Sequence, residues 1–433
     1  MAKVHIKKFE SKIINIIFFL ILLILINGRS LLGVYIFGFR IAEYLVGFCL
    51  IYYLYVIYKI KYFTSVLNGI VHSNFLLILI FIILNFVKSA DYTNTYVFRS
   101  SSYIWYISLL YLGYLIFNKI KLNDKYFVLG YIGLLIQYIF NVIYYPESLI
   151  NFYENNSDKV DFLKGSEIAI FFIVVTFFSN KLYKKGIMID VFFLISALYV
   201  PLVLFKSRSA GIAVFIYFIV QLYQYRKHFK KDKRRTLILS ICFIILLSCT
   251  SHFLVGNIFG IGETDDAIAQ VLRHKYVVSN TYDGEASFIY FFEGRFRSAD
   301  GNFDWRLQLW QEIISISRED GNVLFGRGFN DPSPIFADYI YSGTDGLNLN
   351  SHNYLINIYI TTGLLGVIIV IYFFYLIFKT NKKGFSNKEF LIFLTPLFFI
   401  SMFDGAMENP YFGSTFYFFL SSFFSGLKFT KNI

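Results

Sequence analysis

Residues 349–378 read LNSHNYLINIYITTGLLGVIIVIYFFYLIF, and the change of character at Ser351-His352-Asn353 decides how the chain is organised. After that tripeptide runs an apolar segment long enough to cross a bilayer core of about 30 Å as a helix. Before it lies one long polar stretch, Asn257 to Asn350, which holds Trp305, Trp310 and several arginines. Elsewhere apolar runs of roughly 17–25 residues alternate with short loops. Backbone groups in lipid must find their partners internally, so only helices or a closed barrel can cross it. These runs are too long and continuous for barrel strands.

With 57% hydrophobic and only 16% charged residues, the chain is far from a soluble composition, in which about a quarter of residues are charged. The expected fold is an all-α polytopic membrane protein of about twelve helices. The candidate spans are 13–26, 31–58, 66–87, 102–117, 126–145, 167–179, 187–205, 210–225, 236–255, 352–378, 390–403 and 411–427. The second could break at Gly33 or Gly38. Three regions follow: residues 1–256 with helices 1–9, the large loop 257–350, and residues 351–433 with helices 10–12. Lys3, Lys7, Lys8 and Lys12 before the first run resemble a signal peptide. Asn27–Ser30 lacks a small-x-small cleavage pattern, so the run reads as a retained span.

The net charge of +12 is unevenly spread. The long loop carries seven basic and fourteen acidic residues, a balance of −7, which leaves +19 for the rest. The basic short loops (Lys59 with Lys61, 118–125, 181–185, 226–235, 379–388, and Lys428 with Lys431) alternate with the others. The positive-inside rule puts them and both termini in the cytoplasm, and the long loop outside it. Nucleic acid is not an implied partner. Cys49, Cys242 and Cys249 each fall inside a span, so neither a disulfide framework nor a zinc ligand set is present, and no cofactor is called for.

Within the loop, Phe303–Ser317 reads FDWRLQLWQEIISIS, with Trp305, Leu309, Trp310, Ile313 and Ile316 on one helical face. Such a helix is expected to lie along the membrane surface or to cap the bundle. Leu324–Pro334 reads as a glycine- and proline-rich turn region.

Three positions could carry chemistry. Arg208, in Lys206-Ser207-Arg208-Ser209-Ala210-Gly211, stands on the outer side against the charge bias; its planar fork suits phosphate oxygens, while the bland reading is an interfacial snorkelling side chain. Arg306 is flanked by indoles that could stack a guanidinium or a sugar ring, or it is an ordinary surface arginine. His352 opens a helix, where the dipole disfavours imidazolium and leaves a ring able to accept a proton; a lone histidine is more often structural.

Together these residues resemble the O-antigen polymerase and ligase superfamily of bacterial cell-envelope enzymes. The likeness lies in order: a Ser-Arg-Ser-Ala-Gly turn, an Arg306-x-x-x-Trp310 helix, a turn with Gly326 and Gly328, then Ser-His-Asn-x-Leu and Thr362-Gly363-Leu364-Leu365-Gly366. It covers the chain from Lys206 onward. The resemblance implies metal-independent glycosyl transfer at the periplasmic face of the bacterial inner membrane. The donor would be a glycan on undecaprenyl pyrophosphate, with His352 as general base and Arg306 and Arg208 on the leaving pyrophosphate. Lys206, Trp305, Trp310, Arg327 and Asn353 would bind substrate. A route through a glycosyl-carboxylate would call on Glu293, Asp300 or Asp304. A polymerase, with an undecaprenyl-pyrophosphate-linked repeat unit as acceptor, is favoured over a ligase that transfers to lipid A core. A chain-length regulator protein is a further expected partner. A lipid-linked oligosaccharide flippase would need charge inside its spans, where Glu43 is the main candidate.

Overall fold

The computed structural model describes residues 20–21, 23–58, 65–88, 91, 94–119, 121–122, 124–157, 163–182, 186–260, 289–292, 294–337, 350–380, 385–425 and 428–429. The N-terminal part of the first expected span, several of the basic short loops, and loop residues 261–288 and 338–349 lie outside that set.

In chain order the elements are α1 (Leu23–Leu32), the strands β1 (Tyr35–Ile36) and β2 (Phe39–Arg40), α2 (Ile41–Tyr58) and α3 (Ser65–Val87). Then follow α4 (Thr95–Ser100), α5 (Ser102–Tyr106), α6 (Ser108–Lys119), β3 (Lys121–Leu122), α7 (Asp124–Tyr138) with a π-helical turn Ile139–Ile143, and α8 (Glu147–Asn156). Next come α9 (Gly165–Leu182), α10 (Gly186–Lys206), α11 (Arg208–Lys231), α12 (Lys233–Gly260), β4 (Ile289–Phe292), β5 (Arg295–Ser298) and α13 (Gly301–Glu319). The 3-10 turn Pro334–Ala337, α14 (Tyr354–Thr380), α15 (Asn387–Phe403), α16 (Pro410–Leu420), the 3-10 turn Ser421–Phe423 and β6 (Lys428–Phe429) complete the order.

Among the described residues, five helical segments are long and apolar enough to cross a membrane: Ile41–Tyr58, Gly69–Val87, Ile187–Lys206, Lys233–Leu254 and Tyr354–Thr380. A sixth candidate is the pair Val128–Ile143 and Glu147–Asn156, bent by 90°. The expected break in the second run is real. Helix α1 is interrupted at Gly28, where φ is 65°, and the chain turns at a tight β1–β2 hairpin where Phe37 and Gly38 both have positive φ. Such a turn needs left-handed backbone at both central residues. Glu43, expected inside a span, lies in the first turn of the candidate span Ile41–Tyr58, where its carboxylate accepts the Arg40 N–H at 2.8 Å and it is 46% exposed.

The chain folds as two compact units. The first comprises Met1–Val71, Tyr103–Ile258 and Tyr375–Ile433. Here α9 packs on α7, α10, α11, α15 and α16, and α6 packs on α16. The rings of Phe117, Phe178, Phe418 and Phe419 meet at 5.2–6.5 Å. Each such buried aromatic contributes both area and ring-edge attraction, which is how a phenylalanine-rich chain builds its interior.

The second unit comprises His72–Ser102 and Phe259–Phe374. Its central feature corrects the reading of 352–378 as one unbroken helix. Gly363 has φ 65° and ψ −164°, which splits α14. The segment after α13 fills the break by exchanging backbone hydrogen bonds as a strand would. Leu364 and Leu365 donate to the carbonyls of Val323 and Leu324, at 2.9 and 3.2 Å. Arg327 and Gly328 donate to Ile360 and Thr361, at 2.8 and 3.0 Å. Irregular backbone inside an apolar segment persists only where protein re-satisfies its polar groups, as this segment does. A Cβ on Gly363 would stand 2.3 Å from the Leu324 backbone, so only glycine fits.

Candidate active site

Helix α13 is gripped along two stripes. Asp300 caps it, its carboxylate accepting the Phe303 N–H at 2.9 Å. Asp304 is buried and accepts the Ser298 N–H at 2.7 Å and Arg297 Nη1 at 3.2 Å. Gln308 and Gln311 donate to the Phe296 carbonyl at 2.8 and 2.9 Å, and Arg295 reaches Glu312 at 2.7 Å. Residues 304, 308 and 311 share one helical face, and the β4–β5 ribbon lies on it. Asp300 and Asp304 are therefore occupied in holding the fold, while Glu293 lies outside the described residues.

The other stripe carries Leu309 and Ile313, both almost fully buried against Ile335, Phe336, Tyr359 and Ile360. Trp305, Trp310 and Ile316 pack against the same cluster. The apolar face is the one the spacing predicts. Its apolar partners among the described residues are protein side chains. Burial of this kind contributes about 1.5–3 kcal/mol per large side chain, which fixes the helix and both indoles.

The indoles lead to His352. Trp310 Nε1 donates to the Ser351 carbonyl at 2.7 Å, and the Trp305 and His352 rings meet edge-on with centroids 5.7 Å apart. Asn353 is buried and caps α14, its Oδ1 accepting the Ile356 N–H at 3.1 Å. Asn357, one turn on, accepts the Ser351 N–H at 3.0 Å and donates to Asn350 Oδ1, also at 3.0 Å. That same Asn350 oxygen takes the His352 N–H at 2.6 Å. Inside this frame His352 adopts φ 54°, left-handed backbone that costs an L-residue about 1–2 kcal/mol. Strain of this sort persists where surrounding contacts over-determine it, and it concentrates at active sites.

The structure thus assembles Trp305, Trp310, His352 and Asn353 in the second unit. Arg306 follows Trp305 on α13 and is half-buried. Arg327, expected to bind substrate, donates from Nη1 to Asp320 at the end of α13.

Arg208 and Lys206 belong to the first unit. Ser207 alone separates α10 from α11, and its side chain caps α11 by accepting the Ala210 N–H at 3.4 Å. Lys206 and Arg208 are both exposed at this turn. The turn is tight: a Cβ on Gly165 would come within 2.5 Å of Ser207 Cβ, and one on Gly211 within 2.5 Å of the Leu204 backbone. Beside Gly165, Glu167 is fully buried and its Oε1 accepts from Asn409 Nδ2.

Sequence reasoning missed the two asparagines that frame His352. The i, i+4 repeat Asn353/Asn357 behind Asn350 was the available signal, since short amides before a helix make caps and local turns. It also missed Glu167 and Asn409, 242 positions apart, for which no local pattern exists.

Residues 191–371 match the family model for O-antigen ligase, a segment that runs from α10 into α14 and contains all eight candidate residues. This segment belongs to the O-antigen polymerase and ligase superfamily. The match points to a membrane glycosyltransferase-like enzyme in O-antigen assembly, and the candidate spans are those of a multi-pass membrane protein. No curated protein and no solved structure matches the chain.

Proposed function

We propose that the protein is a polysaccharide polymerase of this superfamily. It transfers a glycan chain from undecaprenyl pyrophosphate to a hydroxyl of an undecaprenyl-pyrophosphate-linked repeat unit. The observation that carries the reading is the strained backbone of His352, held by Asn350 and set against the Trp305 ring. In the reaction the His352 imidazole accepts the acceptor hydroxyl proton as that oxygen attacks the anomeric carbon. The bond to the pyrophosphate oxygen breaks with inversion, and undecaprenyl pyrophosphate leaves. Arg306 and Arg208 are assigned to the charge that develops on the leaving group. Trp305 and Trp310 offer faces for sugar rings, and Lys206, Arg327 and Asn353 are assigned to substrate. The active site faces the periplasm and both termini the cytoplasm, as the charge alternation of the loops argues. A chain-length regulator is the protein partner this activity calls for.

The second reading is a ligase acting on lipid A core, since the matching family is described as O-antigen ligase while its match supports either activity. The test is to incubate the purified protein with undecaprenyl-pyrophosphate-linked repeat units alone. A ladder of products supports the polymerase. Product that forms only when lipid A core is added supports the ligase.

A further inference from the structure

Seven lysines and arginines crowd into the ten residues Arg226–Arg235, with Asp232 the lone acid among them. They sit where α11 turns into α12, beside an open cavity of about 650 Å³ lined by Asp190, His228, Lys231, Lys233, Arg235 and Thr236. The carboxylate of Asp190 is taken up by two of these groups. Its Oδ1 lies 3.0 Å from His228 Nε2, and its Oδ2 accepts from Arg235. Lys231, Lys233 and Arg235 face Asp190 and Asp232 across the lining, which leaves one net positive charge with His228 neutral. Phe229 and Leu239 supply an apolar wall, and Phe229 is backed by Phe193 at 5.4 Å and Phe193 by Phe243 at 4.6 Å.

One helix leaves this cavity with its apolar side open. In α12 the window Lys233–Leu254 has a mean hydropathy of 2.3, yet only 11% of it is buried. Leu237, Ile238, Ile241, Ile244 and Ile245 are each at least half exposed and recur at helical spacing. A hydrocarbon chain fits that face, and the face begins at the residues that carry the positive charge. Cationic pockets beside spanning helices select anionic head groups, and the adjoining acyl contacts separate a lipid from a soluble anion.

We propose that the cavity at the α11–α12 turn binds the phosphate of an anionic phospholipid whose acyl chains run along the exposed face of α12. The site is independent of the transfer chemistry above. Full-length protein in a neutral detergent is titrated with phosphatidylglycerol, phosphatidylcholine or inorganic phosphate, and its thermal unfolding is followed. Phosphatidylglycerol raises the melting temperature of the wild type and of a control, Lys379→Gln with Lys388→Gln. Phosphatidylcholine and inorganic phosphate do not. Lys231→Gln with Lys233→Gln loses at least half of the shift, and Lys231→Arg with Lys233→Arg retains it. Both lysines are exposed, so neither pair of changes disturbs packing. The proposal is overturned if the glutamine pair keeps the full shift, if the arginine pair loses it, or if phosphatidylglycerol has no effect on the wild type. An equal shift with inorganic phosphate overturns it in favour of a soluble phosphate ligand.

Discussion

The indole N–H of Trp310 donates to the carbonyl of Ser351 at 2.7 Å, which ties the middle of α13 to the residue just before His352. Ser351 is fully buried, so this carbonyl has no access to water as a substitute partner. Trp310→Phe keeps most of the ring volume and removes the donor. The expected loss of stability is about 1–3 kcal/mol, the cost of stranding a buried acceptor. Glycosyl transfer should fall about tenfold or more, because the backbone that orients His352 loosens; a 1 Å misplacement can cost about a hundredfold. Denaturation and turnover of the purified variant check both. Unchanged values in each would mean the bond positions nothing.

Gly363 and Gly326 should be the least replaceable glycines of the second unit. At either one a Cβ would lie 2.3–2.5 Å from backbone atoms of the opposing segment, and both have positive φ. Gly321 also has positive φ but has nothing within 4 Å of the added carbon. Gly321→Ala should therefore cost only the left-handed backbone energy, about 1–2 kcal/mol. Gly363→Ala and Gly326→Ala should cost clearly more and reduce the yield of folded protein. Equal melting temperatures for all three would refute the stitched break as the reason.

Glu389 makes a testable pH dependence. Burial alone would raise the pKa of its carboxyl, but the hydrogen bond and charge of Lys181 and the bonds from Ser386 hold it below the ordinary value. The Lys181 Nζ lies 2.5 Å from Glu389 Oε1. A carboxylate with a lowered folded pKa stabilises above its unfolded pKa, and the benefit is lost as the pH falls through the folded one. Glu389→Gln should lower the melting temperature at pH 7, and the difference should vanish in strong acid, once the pH has fallen through the lowered pKa. A difference that persists there would point to packing instead.

Arg208→Lys keeps the charge at the α10–α11 turn and discards the two-toothed geometry. Transfer should fall at least tenfold with the melting temperature unchanged, because the side chain is exposed. Full activity would make Arg208 an interfacial arginine.

The features legible beforehand were those written in local pattern. Apolar length announces the five candidate spans of the described residues, fewer than the twelve expected, and the spacing of Trp305, Leu309, Ile313 and Ile316 reveals the buried face of α13. Gly33 and Gly38 mark the bend that became the β1–β2 hairpin. The break at Gly363 was hidden because Thr-Thr-Gly-Leu-Leu-Gly inside an apolar run also reads as small-residue helix. What breaks it is a distant partner, the Val323–Gly328 backbone, and that is a tertiary fact. The apolar stripe of α13 announces that something covers it, and coordinates were needed to name Ile335, Phe336, Tyr359 and Ile360 as the cover. His352 could be picked out from its position before a helix, whereas its strained backbone and the Asn350/Asn357 frame needed coordinates.

The central claim is that His352 takes the acceptor proton, and the rate of sugar transfer by His352→Gly tests it most directly. Glycine accepts φ 54° without penalty, so this variant should be at least as stable as the wild type, which separates folding from chemistry. With undecaprenyl-pyrophosphate-linked repeat units as donor and acceptor, the account predicts a folded protein whose transfer is at least a hundredfold slower, within the usual range for a lost general base. Transfer at the wild-type rate by the same folded variant would contradict it.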